Sequence, residues 1–375
     1  MFGKKDKDKS ASVEDIREAL SKVIDPILEK GLVELQMVKD ISASEGRARV
    51  VIELPTPGWE AKELLETEIR SEIKKRAPKT EVELGFTHRV LPARPDAVGG
   101  QNLVPNAQNI ILVASGKGGV GKSTVASNLA VTLSRMGANV GLLDADIYGP
   151  SIPTMFGTHE MPPFAPDQRK LIPVSQHGLK LMSIGFVVKT EDAMVWRGPM
   201  LQKALLQFMG DVDWGELDYL VLDLPPGTGD IQLTLAQNVK VAGAILVSTP
   251  QDVALADVTR GKAMFDKVNI PVLGVVENMA WFECPGCKEK HYIFANGGAS
   301  KLASKLGLPM LGEIPLEIAV REGGDAGKPE AIAHPESRSS RAFQAIARRV
   351  ATELARQAFT ASRAATGRSR LRIVQ

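Results

Sequence analysis

The chain has 375 residues, 44% of them hydrophobic and 24% charged, with a formal net charge of +2. Those proportions are ordinary for a soluble globular protein with room for two domains, and with no apolar run of about 18 residues they exclude a membrane span. The positive charge sits at the ends: the first ten residues carry +2 and residues 359–375 carry +4, which leaves a body at −4 and argues against nucleic acid as the main ligand.

The opening "MFGKKDKDKS" is charged and is not followed by an apolar signal core. A disordered tail and a cytoplasmic location, where thiols stay reduced, are therefore expected. Residues 12–87 read as a small α+β unit. Ser12 is placed to cap a helix reaching about Ile24, and "VELQMV" and "RVVIEL" alternate like strands around a turn at Glu45 and Gly46. "TPGWE" turns into a charged helix over residues 61–76, and "TEVELGFT" closes the unit as a strand. The expected division is a small domain over 1–90, a Pro/Gly/Asn-rich linker over 91–108, a second domain over 109–358 and a basic tail over 359–375.

In the second domain short apolar runs alternate with helical segments: "IILVA", "VGLLD", "LKLMSI", "YLVLD", "AILVS", "VLGVV" and "MLGEI". Continuous apolar runs mark strands buried on both faces, so the fold class is α/β, a mostly parallel sheet flanked by helices. Ligands of such sheets bind at the carboxyl ends of the strands.

The first run leads into "SGKGGVGKST". Gly116 to Ser123 fits G-x-x-x-x-G-K-[ST], the loop that wraps phosphates with backbone N–H groups. Gly116, Gly118, Gly119 and Gly121 keep side chains out of the phosphate's space, and Val120 and Thr124 complete the cradle. Lys122 is the charge for the β and γ phosphates, Ser123 a hydroxyl for Mg²⁺, and the helix that starts there points its positive end at the anion. Gly116, Gly118 and Gly121 also satisfy the dinucleotide pattern G-x-G-x-x-G, with Asp144 as a candidate ribose acid. The Lys-Ser pair after the last glycine favours the nucleoside triphosphate reading.

"YLVLDLPPGTGD" ends a strand on Asp223, where a carboxylate can hold Mg²⁺ through water; its bland reading is a helix cap. Asp146 in "LLDADIYGPS" can orient an attacking water, or merely cap a turn. Lys117 lies between the first glycines, placed either to reach phosphates in a second subunit or to sit solvated. Cys284 and Cys287, in "WFECPGCK", are the only two cysteines. A C-x-x-C pair is a metal or redox signal, and a closed metal site needs more ligands than two. His291 is a possible third ligand, its alternative being an ordinary surface histidine.

"GKGGVGKST" with its extra Lys117 resembles the deviant P-loop of the MinD/ParA/nitrogenase-iron-protein class of dimeric ATPases. "LLDADIYGPSIP", "VWRGPM", "DLPPGTGD", "VENM" and "CPGC…IF" resemble, more narrowly, the Mrp/ApbC iron–sulfur cluster carriers. "DPIL" and "TPGW" are similar to the small iron–sulfur assembly domain that precedes the ATPase in many members. The resemblance implies a homodimer with ATP at the interface and a 4Fe–4S cluster bridged between chains by the two C-x-x-C pairs. It further implies donor or scaffold proteins and recipient apoproteins as partners. It makes Lys117 the residue that contacts the partner's nucleotide, Asp146 the hydrolytic aspartate and Asn278 an adenine contact. The family's small domain often carries a cysteine in its T-x-x-C-P turn; here Trp59 stands there, and packing against the small sheet is its expected role. The rivals are a MinD/ParA-like positioning ATPase anchored by the amphipathic segment 340–359, and an ATPase whose cysteines clasp zinc.

Overall fold

The structure is a computed structural model described over residues 12–370, apart from 45, 95–101, 148, 167–169, 188–197, 228–229 and 295. The expected N-terminal tail and most of "VWRGPM" lie outside the described residues. The described residues form two compact units, residues 12–90 with 362–370, and residues 91–361.

In the first unit Ser12 caps α1 (Val13–Leu20): its Oγ accepts from the Asp15 N–H while Asp15 answers to the Ser12 backbone, a reciprocal capping box. A two-residue ladder follows, β1 (Ile24–Asp25) against β2 (Lys30–Gly31). Then come β3 (Val38–Ser44), β4 (Arg47–Leu54), α2 (Lys62–Arg76) and β5 (Glu81–His88), with β4 central, antiparallel to β3 and parallel to β5. The expected strand at "VELQMV" is instead mostly a turn. Leu35 N–H bonds Gly31 O, Met37 N–H bonds Leu32 O, and Gln36 takes φ 57°, so these donors are spent locally rather than on a ladder. Of the alternating residues only Met37 is buried, while Val33 is exposed and Leu35 half-buried, so the alternation did not mark a core face.

Trp59 is buried and its Nε1–H donates to Asp25 Oδ2 at 2.8 Å. Asp25 Oδ1 accepts from the Ile27 and Leu28 N–H groups, each at 2.9 Å. The "DPIL" and "TPGW" motifs thus meet in one buried, satisfied carboxylate, a structural role.

The second unit is built on an eight-stranded sheet in the order β15-β12-β11-β6-β10-β7-β9-β8. Its elements run β6 (Ala107–Ala114), α3 (Lys122–Arg135), β7 (Val140–Asp144), α4 (Ile152–Met155), β8 (Val174–Gln176), β9 (Leu179–Ser183), α5 (Gly198–Gly210), β10 (Leu217–Asp223), α6 (Asp230–Asn238), β11 (Val241–Ser248), α7 (Asp252–Lys267), β12 (Val272–Glu277), β13 (Phe282–Glu283), β14 (Lys290–His291), α8 (Gly298–Lys305), β15 (Met310–Glu313), α9 (Ile318–Asp325), α10 (Glu330–Ala333) and α11 (Arg338–Arg370). Every pairing in the large sheet is parallel except β8 with β9. All seven apolar runs named above are strands of it. β7 and β11 are buried at every position, and β6 and β10 at all but one or two, as covering by helices on both faces demands. β8 was not expected: it is three residues long, at an edge, with only Val174 buried.

α11 places Phe343, Ile346, Val350 and Leu354 in the core. Ile346 packs where a side chain on Gly312 would otherwise stand, and Arg349 donates to Leu311 O at 2.7 Å. The helix continues through residues 359–370, so the segment expected as a basic tail is helical to Arg370. Among the described residues no helix is long and apolar enough to cross a membrane.

Candidate functional site

β6 carries the chain to Ser115 at the carboxyl edge of the sheet, where the glycine loop turns into α3. Gly121 is the residue before the helix and sits in the left-handed region at φ 81°. Gly116 is required for a different reason: a Cβ there would lie 1.9 Å from Asp257 Cβ on α7. The loop is pinned from the other side by Asn278, just past β12, whose Nδ2 donates to Val120 O at 2.9 Å.

The end of β10 brings Asp223 beside the loop. Lys122 Nζ donates to Asp223 Oδ1 at 2.5 Å and lies 3.3 Å from Ser123 Oγ. Both partners are buried, and Asp223 Oδ2 is a buried oxygen with no hydrogen bond among the described residues. Burial pushes the Asp223 carboxyl above the usual carboxylate range, with Lys122 opposing.

Asp144 stands opposite Asp223 in the β7–β10 register. Its oxygens accept from the N–H groups of Asp146 (3.1 Å), Ser151 (3.0 Å) and Ile152 (3.2 Å) and from Ser183 Oγ (3.1 Å). It therefore organises the loop after β7 and is fully occupied, which removes it as a ribose acid. Burial, and then the charge of Asp223, raise it from 3.8 to about 7. The folded state then holds a proton that the unfolded chain releases above pH 3.8. This group's contribution to stability is full below that value and is lost as pH rises to about 7. Between about pH 5 and pH 8 the wild type is expected to lose on the order of 2 kcal/mol more unfolding free energy than Asp144→Asn. Urea titrations at the two pH values check it; equal losses would refute the protonated state.

Asp146 lies on that loop, part-buried, and its Oδ1 accepts from the Gly149 N–H at 3.3 Å. Lys117 points elsewhere: Nζ donates to Gln251 Oε1, before α7, at 3.1 Å. Gly118 and Gly119 are exposed, and Thr124 is half-buried on the first turn of α3. A cavity of about 520 Å³ opens beside that turn, lined by Gly121, Ser123, Thr124, Ser151, Asn278 and Leu316 among others. Lys122, Ser123, Asp223, Asp144 and Asp146 thus converge, and Asn278 joins the loop through its backbone. Gln251 and Asp257, which hold Lys117 and enforce Gly116, carried no local signal in the sequence.

The cysteines form a separate feature. Past Asn278, β13 and β14 make a short hairpin whose tip is Cys284 to Lys288. Cys284 N–H donates to Glu289 O at 3.0 Å, Lys288 N–H donates to Cys284 O at 2.9 Å, and Lys288 turns at φ 64°. Cys287 is exposed and Cys284 partly so. Backbone N–H groups of Cys287 and then Gly286 aim at the Cys284 sulfur and hold its thiol below the usual value.

Residues 106–351 match the family described as the NUBPL iron-transfer P-loop NTPase, in the ParA group. The chain belongs to that family. Residues 13–84 also match the iron–sulfur cluster assembly protein family. The chain is 46% identical to the iron–sulfur cluster carrier protein of Deinococcus radiodurans, over 90% of this chain and 94% of that one. It is 45% identical to the protein of the same description from Escherichia coli K12, over 88% and 89%. Among solved structures it is similar to a nucleotide-binding protein from Archaeoglobus fulgidus in complex with ADP, at 44% identity and a TM-score of 0.53, covering 59% of this chain and 87% of that one. Family and fold therefore agree with the P-loop NTPase expected from "GKGGVGKST", and the dinucleotide alternative falls away.

Proposed function

We propose that the chain is an ATP-dependent iron–sulfur cluster carrier of the cytoplasm that acts as a homodimer. Two copies related by a twofold axis would bring two C-x-x-C pairs together, and four thiolates from Cys284 and Cys287 would hold a bridging 4Fe–4S cluster as cargo. The cluster would come from a donor or scaffold protein and pass to recipient apoproteins. An exposed hairpin shared between chains suits a load that must leave.

The observation that carries this reading is the position of Asn278. It holds the P-loop through Val120 O and lies six residues before Cys284 on the same stretch of chain. A change in the loop on ATP binding or hydrolysis therefore has a short covalent route to the cysteines. Asn278 also lines the 520 Å³ cavity, where its side-chain amide would meet a base.

ATP would lie with its phosphates over Gly116 to Thr124. Ser123 Oγ and the unbonded Asp223 Oδ2 fit the magnesium that accompanies a nucleotide, either directly or through water. Bound Mg²⁺ supplies charge neutralisation on the phosphate oxygens. The protein's own part is to hold the phosphates on the loop, bring Lys122 to them, and place Asp146 where it can orient water. Lys117 would have to leave Gln251 to reach a partner's nucleotide, so its contact is a dimer-dependent one.

A positioning ATPase would need an anchor, and the apolar face of α11 that might serve is already packed. The decisive test is anaerobic purification with iron and sulfide analysis. Wild type is expected to absorb near about 400 nm and carry iron and sulfide. Cys284→Ala should lose both and keep its ATPase activity. A colourless wild type with stoichiometric zinc would replace the carrier with the zinc clasp.

A further inference from the structure

The hairpin offers more donors than a shared cluster uses. Cys287, Glu289 and His291 are exposed, and one ligand atom from each lies within 4.8 Å of the others. They lie along the return side of the hairpin, where the left-handed turn at Lys288 (φ 64°) leads from Cys287 into the strand that carries His291. One thiol sulfur, an imidazole nitrogen and a carboxylate oxygen thus collect on a single protomer, with Cys284 three residues before Cys287 on the same turn. The backbone beneath them is fixed: Phe282 pairs with His291 and Glu283 with Lys290, and the Lys290 ammonium lies 4.1 Å from the centre of the Trp281 ring.

The chemistry of this set is selective. Thiolate with imidazole and carboxylate suits a four-coordinate, borderline-soft divalent ion such as Zn²⁺, Fe²⁺ or Co²⁺, and is wrong for Mg²⁺ or Ca²⁺. Metal–ligand bonds of about 2.0–2.3 Å put tetrahedral donors about 3.3–3.8 Å apart. The three exposed side chains need to close by only about an ångström to reach that spacing.

We propose that one protomer alone binds a single divalent transition-metal ion through Cys287, Glu289 and His291, with water completing the four-coordinate shell. This mononuclear site excludes the shared cluster, because both need the Cys287 thiolate. Only the exclusion rests on the carrier reading; the ion site stands on the hairpin by itself. A protomer holding such an ion is closed to cluster loading until the ion leaves.

The test is a Co²⁺ titration of the reduced, metal-free full chain, at a concentration where it sediments as a monomer. One Co²⁺ per chain is expected, with sulfur-to-cobalt charge-transfer absorption and the intense visible bands of tetrahedral cobalt. His291→Ala and Glu289→Gln should each weaken Co²⁺ binding at least about tenfold. Both variants should still take up iron and sulfide anaerobically as the wild type does, and pre-bound Co²⁺ should block that uptake. Unchanged Co²⁺ affinity in His291→Ala, or one ion per two chains, would overturn the mononuclear site. Loss of cluster uptake in His291→Ala would overturn the division of labour between the two sites. A wild type that binds one Co²⁺ and no cluster would sink the carrier reading and leave the ion site standing; cluster uptake without Co²⁺ binding would do the reverse.

Discussion

Lys122→Ala is expected to lower ATP hydrolysis by about 10²–10³-fold or more, since it removes the buried cation that the proposed function assigns to the phosphates. The same change should unsettle the nucleotide-free fold. Asp223 is fully buried with Lys122 as its ion-pair partner, and breaking such a pair from one side costs about 3–5 kcal/mol when the remaining charge stays. The carboxyl can escape part of that by taking a proton, because burial already holds it above the usual range and Lys122 was the group pulling it down. The sign follows: the destabilisation should be small in mild acid and grow as pH rises through the raised value. Adding Asp223→Asn to Lys122→Ala removes the stranded charge. The double variant should regain stability at alkaline pH while ATP hydrolysis stays absent. Paired urea midpoints and phosphate-release rates read the two effects separately; a double variant as unstable as the single one would refute the account.

Gly116→Ala is the second large effect. The added methyl would come 1.9 Å from Asp257 Cβ and 2.8 Å from its Cα, so no rotamer of Asp257 relieves it and α7 must move. Overpacking of that kind costs about 1–3 kcal/mol or more, and it displaces the loop that binds nucleotide. The neighbouring glycines act as internal controls. Gly119 has open space around its would-be Cβ but sits at φ 81°, so Gly119→Ala should cost about 1 kcal/mol through the backbone alone. Gly118 has neither the crowding nor the left-handed backbone. Gly118→Ala should therefore leave stability unchanged, and any loss of ATP affinity there reports on the ligand rather than on the fold. Thermal midpoints and ATP affinity across the three variants check the order; equal destabilisation at all three would defeat it.

The parallel sheet was legible because its strands are buried on both faces and leave continuous apolar runs. The loop was legible because phosphate binding constrains consecutive residues. What escaped is what the fold assembles from a distance. Asp257 meets Gly116 from α7, and Gln251 meets Lys117 from just before it, across 134 positions or more. Asp144 and Asp223 are each readable as acids at strand ends, but their mutual influence exists only because β7 and β10 are neighbours in register. In the first unit, Val33, Leu35 and Met37 carry a strand's alternation, but only Met37 is buried and the backbone closes a turn, so the pattern and the hydrogen bonding parted company. His291 was visible as a candidate ligand, but Glu289 gained meaning only once the hairpin set the two side by side.

The contact between Lys122 and Asp223 has a consequence for selectivity. An empty P-loop might be pictured as a bare cation waiting for any passing anion, yet here the lysine already holds a counter-ion built into the sheet. On the proposed reading ATP would enter by exchange, displacing a tethered carboxylate, and small anions would face the same competitor. Inorganic phosphate, which brings no base for the cavity beside Asn278, has little with which to win that exchange. The resting protein would in this sense be self-buffered against the phosphate around it, opening its lysine only to a ligand that grips at both ends.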